Sequence, residues 1–241
     1  MQVFEMTVQI AFSELISYRQ ISERVGDFIA SAGRPGDGNA AGAKQIYEDY
    51  TFDQPYPRED GRVYLTGKVY SVHIHTVNEQ LAQYWERKLL YHSTETVQGL
   101  SAELRIIPRM QICRVYSLTP VMLGKGNRNW REKDGSAAIV SVLEKELIRK
   151  YHLTHNDRLQ SGVHLIKGVR IENRKPIMMN LKGRILCGDR LDIFPESDAF
   201  AQEVFYTVLG TGIGRHTSRG MGFLETRPFR ELGENRLFTK K

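Results

Sequence analysis

Apolar and polar positions along the chain follow one order of elements twice: strand, helix, strand, strand, helix, strand. Val3 to Ile10 contains alternating segments and predicts a strand. From about Ser13 to Ala32, Leu15, Ile21, Val25, Phe28 and Ile29 recur at helical spacing, with Ser13 a suitable N-cap. Gly33-Arg34-Pro35-Gly36-Asp37-Gly38 ends that helix and opens a loop to about Lys44. Tyr47–Phe52 and Val63–His75 predict paired strands across a turn-rich stretch, Asn78–His92 a helix with Leu81, Trp85 and Leu89 on one side, and Leu100–Met110 a closing strand.

The second round begins with a strand over Ile112–Leu123. A helix follows from Gly135-Ser136 to about Tyr151, with Ile139, Val142, Leu143, Leu147 and Ile148 facing inward. Val163–Ile171 and Ile177–Cys187 predict strands, Ala199–Leu209 a helix, and Met221–Glu225 the last strand. Two β-α-β-β-α-β units in tandem make an α+β fold of two ferredoxin-like (RRM-like) domains, residues 1–110 and 111–241, meeting near Pro108. The repeat is one of element order and not of letters, and a single α+β domain would contain the same local elements.

Between the last helix and the last strand lies Gly210-Thr-Gly-Ile-Gly-Arg-His-Thr-Ser-Arg-Gly-Met-Gly222. It holds five glycines, two arginines, one histidine and three hydroxyl side chains. Glycine permits positive φ and close approach to backbone N–H groups, and such groups beside arginine form a cradle for phosphate. The charge balance suits a polyanion: Lys and Arg outnumber Asp and Glu by 34 to 28. Cys113 and Cys187 are far apart and make no metal-ligand pattern, so buried thiols in a reducing cytosol are expected. No stretch approaches the roughly 18 apolar residues a membrane span needs, and the start of the chain does not read as a signal peptide. A cytoplasmic protein without membrane contact is the expectation.

Three motifs carry a resemblance to a known family. They are the glycine loop, Leu118-Thr-Pro-Val121 on the first strand of the second half, and Asn180-Leu-Lys-Gly-Arg-Ile-Leu186 before the final helix. Together with the element order, the chain resembles the CRISPR repeat-RNA endonucleases of the repeat-associated mysterious protein (RAMP) superfamily, often called Cas six. The resemblance implies an endoribonuclease that cuts precursor CRISPR RNA within its repeat and stays on the 3′ hairpin, beside other effector-complex subunits. It implies no metal and no cofactor: the ribose 2′-hydroxyl attacks the adjacent phosphate, leaving a cyclic phosphate and a 5′-hydroxyl. That reaction calls for a base, an acid and cations around the phosphorus.

The family usually places a histidine in or just after the first helix, whereas the first histidine here is His73. In that respect the chain resembles the form found in type IV systems. Candidate substitutes are Arg24 on the first helix, Arg34 and Lys44 around the loop after it, and His216 within the glycine loop, with Tyr18, Tyr47 and Tyr50 as nearby phenols. Arginine stays protonated and is a poor base, but it can orient a phosphate and stabilise its charge. Histidine carries protons near neutral pH. Solvated or ion-paired roles beside Glu23 and Asp27 are the plain alternative for the helix arginines. His73 and His75 alternate and share a sheet face. No neighbouring carboxylate or cysteine in the sequence completes a ligand set for them.

For RNA grip the candidates in the glycine loop are Gly210, Gly212, Gly214, Arg215, His216, Arg219, Gly220 and Gly222. To these are added the basic loop residues Lys125, Arg128, Trp130 and Arg131, and Arg170, Lys182 and Arg184 on the middle strands. Duplex RNA is read there through phosphate and shape, and unpaired bases stack on tryptophan. Two other readings compete: a non-catalytic RAMP-type RNA-binding subunit, and an unrelated ferredoxin-like metabolic enzyme that would leave the glycine loop without a phosphate role.

Overall fold

The computed structural model describes residues 1–35, 48–123, 138–155 and 163–228. The first sheet contains β1 (Phe4–Phe12), β3 (Tyr50–Phe52), β5 (Val69–Thr76) and β6 (Val97–Ile106), in the order β3-β5-β1-β6. The second contains β7 (Ile112–Ser117), β8 (Ile166–Ile171), β11 (Leu191–Pro195) and β12 (Leu224–Pro228), in the order β12-β7-β11-β8. Both orders are the ferredoxin-like arrangement, with first and third strands central, and every pairing in them is antiparallel. The tandem ferredoxin-like fold expected from element order is present.

Alternation along β1 explains the first core. Met6, Val8, Ile10 and Phe12 lie under α1 (Ile21–Ser31) and α2 (Glu79–Leu89), while Glu5, Thr7 and Gln9 occupy the opposite face. Asn78 caps α2 by accepting from the Leu81 N–H at 3.1 Å. In the second core, α3 (Ile139–Thr154) supplies Ile139, Leu143, Leu147 and Tyr151. α4 (Ala199–Thr211) is apolar nearly all round, and it must be, because it faces its own sheet and the first unit together. Tyr206 on α4 accepts from the Val3 N–H at 3.2 Å and donates to the Ile107 carbonyl at 2.7 Å.

Several boundaries differ from the expectation. β1 runs on to Phe12, and Ile16–Ser17 forms a short strand, β2, against β4 (Val63–Tyr64). The first helix therefore starts at Ile21. Ser13 is no N-cap and donates instead to the Glu95 carbonyl. Leu15, expected inside, is 64 % exposed. The Ile177–Cys187 run is a hairpin of β9 (Ile177–Leu181) and β10 (Arg184–Gly188), turning at Lys182 (φ 49°) and Gly183 (φ 75°). Two adjacent positive-φ residues are the geometry of a tight two-residue hairpin. The strand that completes the second sheet is β11, which the sequence reading missed. It is five residues long, carries the buried Asp192 and ends in proline, so it lacks an alternating pattern. Cys113 and Cys187 are free and half-buried, not buried as expected.

A substitution tests the packing of the loop between α4 and β12. Gly222 has φ 64°, and a Cβ there would lie 1.9 Å from the Ile213 carbonyl oxygen. Gly222→Ala is expected to destabilise the chain by about 2–4 kcal/mol, read by chemical denaturation, whereas Gly61→Ala, with open space around it, should be near neutral.

Candidate nucleic-acid interface

The glycine loop begins where α4 ends. Gly212 (φ 69°) takes the backbone out of the helix, and Gly214, Gly220 and Gly222 also have positive φ. These residues are buried. A Cβ on Gly210 would meet Val77 at 2.7 Å, one on Gly212 would meet Thr51 at 2.9 Å, and one on Gly220 would meet the Phe52 ring at 2.7 Å. A Cβ on Gly214 would meet the Met122 carbonyl oxygen at 2.8 Å. The glycines thus let the loop sit tightly between the two units.

This revises the open cradle anticipated from sequence. The N–H groups of Gly212, Ile213, Arg215, Arg219, Gly220, Met221 and Gly222 all donate to backbone carbonyls, among them Val208, Met122 and Pro120. The part turned outward is the short 3₁₀ turn Thr217–Arg219 with its flanks Arg215 and His216. His216 itself is left-handed at φ 62° and ψ 31°, a conformation that costs energy in a non-glycine residue and often marks functional sites. Burial lowers the His216 pKa below its ordinary value, and the neighbouring Arg215 and Arg219 charges push the same way. The imidazole is therefore neutral at neutral pH.

The turn lies against α1. Gly26 leaves room for the Arg219 stem, whose Cδ would be 3.5 Å from a Cβ there, and Arg219 Nη1 reaches Asp27 at 2.6 Å. Tyr50 donates to the Ser218 carbonyl at 3.3 Å. Burial raises the Tyr50 pKa to about 12, so it remains a donor. On the same helix, one turn earlier, Glu23 accepts from the Lys182 N–H at 3.4 Å. The β9–β10 hairpin tip and the glycine-loop turn therefore converge on one helix, bringing Lys182 to Glu23 and Arg219 to Asp27.

A lysine absent from the sequence candidates lies beneath the loop. Lys150 of α3 is 0 % exposed. Its ammonium is 3.3 Å from the Thr217 hydroxyl, 3.4 Å from the Thr211 carbonyl and 3.3 Å from the Glu48 carbonyl. Burial lowers its pKa to about 8, against the pull of Glu48. It falls on the apolar face of an otherwise regular amphipathic helix, and that polar residue out of phase was the available signal.

The remaining candidates are distributed as follows. Arg24 on α1 is half-exposed, 3.9 Å from Glu14. Arg34 is mostly buried, paired with Asp49 and lying 5.9 Å from the Tyr50 ring and 6.0 Å from that of Trp85. That setting is a packed one. Arg170 bonds Asp192 at 2.5 Å and Glu172 at 2.5 Å on the second sheet, so it does not share a sheet with Lys182 and Arg184. Tyr18 donates to the Glu59 carbonyl. Lys44, Tyr47, Lys125, Arg128, Trp130 and Arg131 lie outside the described residues.

His73 and His75 do share a face, and the fold supplies the carboxylates that sequence did not bring near. His73 meets Asp53 at 2.8 Å, and His75 meets Glu5 at 3.0 Å. Glu225 completes a group with Glu5 and His75 whose ligand atoms lie within 4.8 Å of one another.

No protein-family model and no curated protein matches the chain. Solved structures do. A CRISPR-associated protein Cas6 is 13% identical over 93% of this chain and 99% of its own, with a TM-score of 0.65. A RAMP protein described as binding different RNA substrates gives the same identity and coverages and a TM-score of 0.66. A Cas6-related protein from Pyrococcus furiosus is 13% identical over 93% of this chain and 98% of its own, at 0.60. The chain thus has the Cas6-type RAMP fold along nearly its whole length. Among the described residues no helix is long and apolar enough to cross a membrane.

The buried lysine yields a pH test. Its folded pKa of about 8 lies below the ordinary 10.5. Between those values the unfolded chain binds more protons, so stability rises with pH there. At 1.36 kcal/mol per unit the rise is up to about 3 kcal/mol. Denaturation between pH 7.5 and 10.5 should show it in the wild type, and Lys150→Met should lose it.

Proposed function

We propose that this chain is a metal-independent endoribonuclease that cuts precursor CRISPR RNA within its repeat and keeps hold of the 3′ hairpin, acting in the cytoplasm with other effector subunits. One observation carries the reading: in a Cas6-type fold, a turn against α1 carries a left-handed histidine with a lowered pKa between Arg215 and Arg219, Arg219 reaches Asp27, and the hairpin tip brings Lys182 to Glu23. Residues 1–110 supply the helix and the loop that follows it, and residues 111–241 supply the turn.

Arg215, Arg219, Lys182 and Arg184 hold phosphates. The 2′-hydroxyl attacks the adjacent phosphorus and its proton passes to the His216 ring. The bond from phosphorus to the 5′-oxygen breaks, and that oxygen takes a proton from water. The products are a 2′,3′-cyclic phosphate and a 5′-hydroxyl. Among the catalytic candidates, Arg24 remains a phosphate contact and Lys44 a second cation. Arg34 acts at one remove, by holding Asp49 and Tyr50 behind the turn.

A second reading has its own support. The first unit has no histidine before His73, and Arg34 is bound up with Asp49. A RAMP subunit that binds RNA without cutting would look the same, and one of the similar structures is described as binding different RNA substrates. Labelled repeat RNA with purified protein and a chelator separates the two. Nuclease action gives a single cut that a 2′-deoxy substitution at the scissile nucleotide blocks; uncut but bound RNA favours the second reading.

Within the nuclease reading, His216→Ala should reduce single-turnover rate by about 10²–10⁴-fold with binding retained. The acid limb of the wild-type rate profile should lie below the ordinary histidine value of 6.5. Arg215→Ala and Arg219→Ala should weaken binding across RNA sequences, each reducing the salt slope by roughly one. An unchanged rate in His216→Ala removes it as the base.

A further inference from the structure

Glu5 of β1 and His75 of β5 are register partners on the face of the first sheet turned away from its helices. Glu225 on β12 comes to them from the second sheet. The ligand atoms of the three lie within 4.8 Å of one another. They border a cavity of about 100 Å³ whose lining also includes Arg105, Leu209 and Leu224. His75 is 1 % exposed and Glu5 4 %.

The hydrogen bonds of His75 constrain what occupies this place. Its Nδ1 is 3.0 Å from the Leu209 carbonyl oxygen, which can only accept, so Nδ1 carries a proton. Nε2 is 3.0 Å from a carboxylate oxygen of Glu5, which also accepts. A neutral imidazole would therefore direct its lone pair at a carboxylate. The other Glu5 oxygen is taken by Arg105 at 2.6 Å. The Glu225 carboxylate reaches the same group from β12. One small dication resolves all three contacts.

We infer that Glu5, His75 and Glu225 bind a first-row divalent cation of the zinc type, which ties the first sheet to the last strand at the base of the glycine loop. One imidazole nitrogen with two carboxylate oxygens suits such an ion, with water completing the shell. Calcium, which takes six to eight oxygens, is a poor match. The Nδ1–H bond to a carbonyl is the outer contact that fixes a metal-binding histidine's tautomer. Position gives the ion its role. His75 holds the Leu209 carbonyl one residue before the loop, its ring lies 4.3 Å from that of Phe223, and Glu225 follows the loop by three residues. The cation closes the neck of the loop and is separate from the chemistry assigned to His216.

The test uses the full chain without RNA, so it is independent of the nuclease reading. Metal-free protein is exposed to zinc ion, desalted and assayed for bound metal, with thermal denaturation alongside. One zinc per chain and a raised Tm are expected. Glu225→Gln should weaken binding by about tenfold or more, as even outer-contact losses do, while Glu95→Gln, an exposed carboxylate elsewhere, should bind as wild type. X-ray absorption of the zinc-loaded wild type should show one imidazole and the rest oxygen, which keeps the test sound if Glu225→Gln folds poorly. Wild type that binds no zinc, equal binding by Glu225→Gln, or a coordination shell without imidazole each overturns the assignment.

Discussion

The fit of a glycine backbone against the Phe52 ring and the Thr51 side chain governs this molecule. At Gly212 and Gly220 there is no space for even a methyl group. That contact brings the end of α4 onto β3, fixing the two sheets relative to each other. Once the backbone is this close, its N–H groups must find partners inside the protein, and they do so in Val208, Pro120 and Met122. Rigidity and closure of the loop are therefore one fact. What remains for a ligand is the outer turn, presented on a support that cannot yield.

The charges follow from that geometry. Lys150 fills the space under the turn and donates to Thr211 and Thr217. Burying an ammonium is costly, and the depressed pKa measures that cost. Arg219 extends outward over Gly26 to Asp27, so one guanidinium is already oriented before any phosphate arrives. Preorganisation of this kind reduces the ordering cost of binding. His216 lies between Arg215 and Arg219 in the chain, and its pKa is lowered first by burial and then by those two charges.

Element order and the helical core residues were legible in the sequence, because α1, α2 and α3 carry apolar residues at helical spacing and β1 alternates. The β9–β10 hairpin was not. Lys182 takes a positive φ that its identity does not announce, and the apolar letters on both sides of Asn180-Leu-Lys-Gly-Arg184 let Ile177–Cys187 pass for one strand, although Gly183 marked the turn. β11 was missed because its buried Asp192 is neutralised by Arg114 and Arg170, pairings made only in three dimensions. The loop's importance was readable from its composition, but its physical role was not. Glycine is needed both for open N–H cradles and for close packing, and only the position of Phe52 decides between them. Lys150, Glu5 and Glu225 went unnoticed for the same reason, since each gains its meaning from residues more than sixty positions away.

The two ends of the loop are held by different means, and the difference bears on function. Near the turn, the contacts are a neutral hydroxyl bond from Tyr50 and an exposed ion pair to Asp27, both weak and screened. At the neck, His75 and Glu5 are buried and Glu225 is half-buried beside them, where electrostatic interactions are stronger than at the surface. A ligand that displaced Asp27 from Arg219 would therefore act on that side chain and leave the neck in place. The backbone that carries His216 would stay in register with α1 while the arginines exchange a carboxylate for a phosphodiester. Because the two ends are held differently, the outer face of the loop can adapt while its base keeps its place against β3.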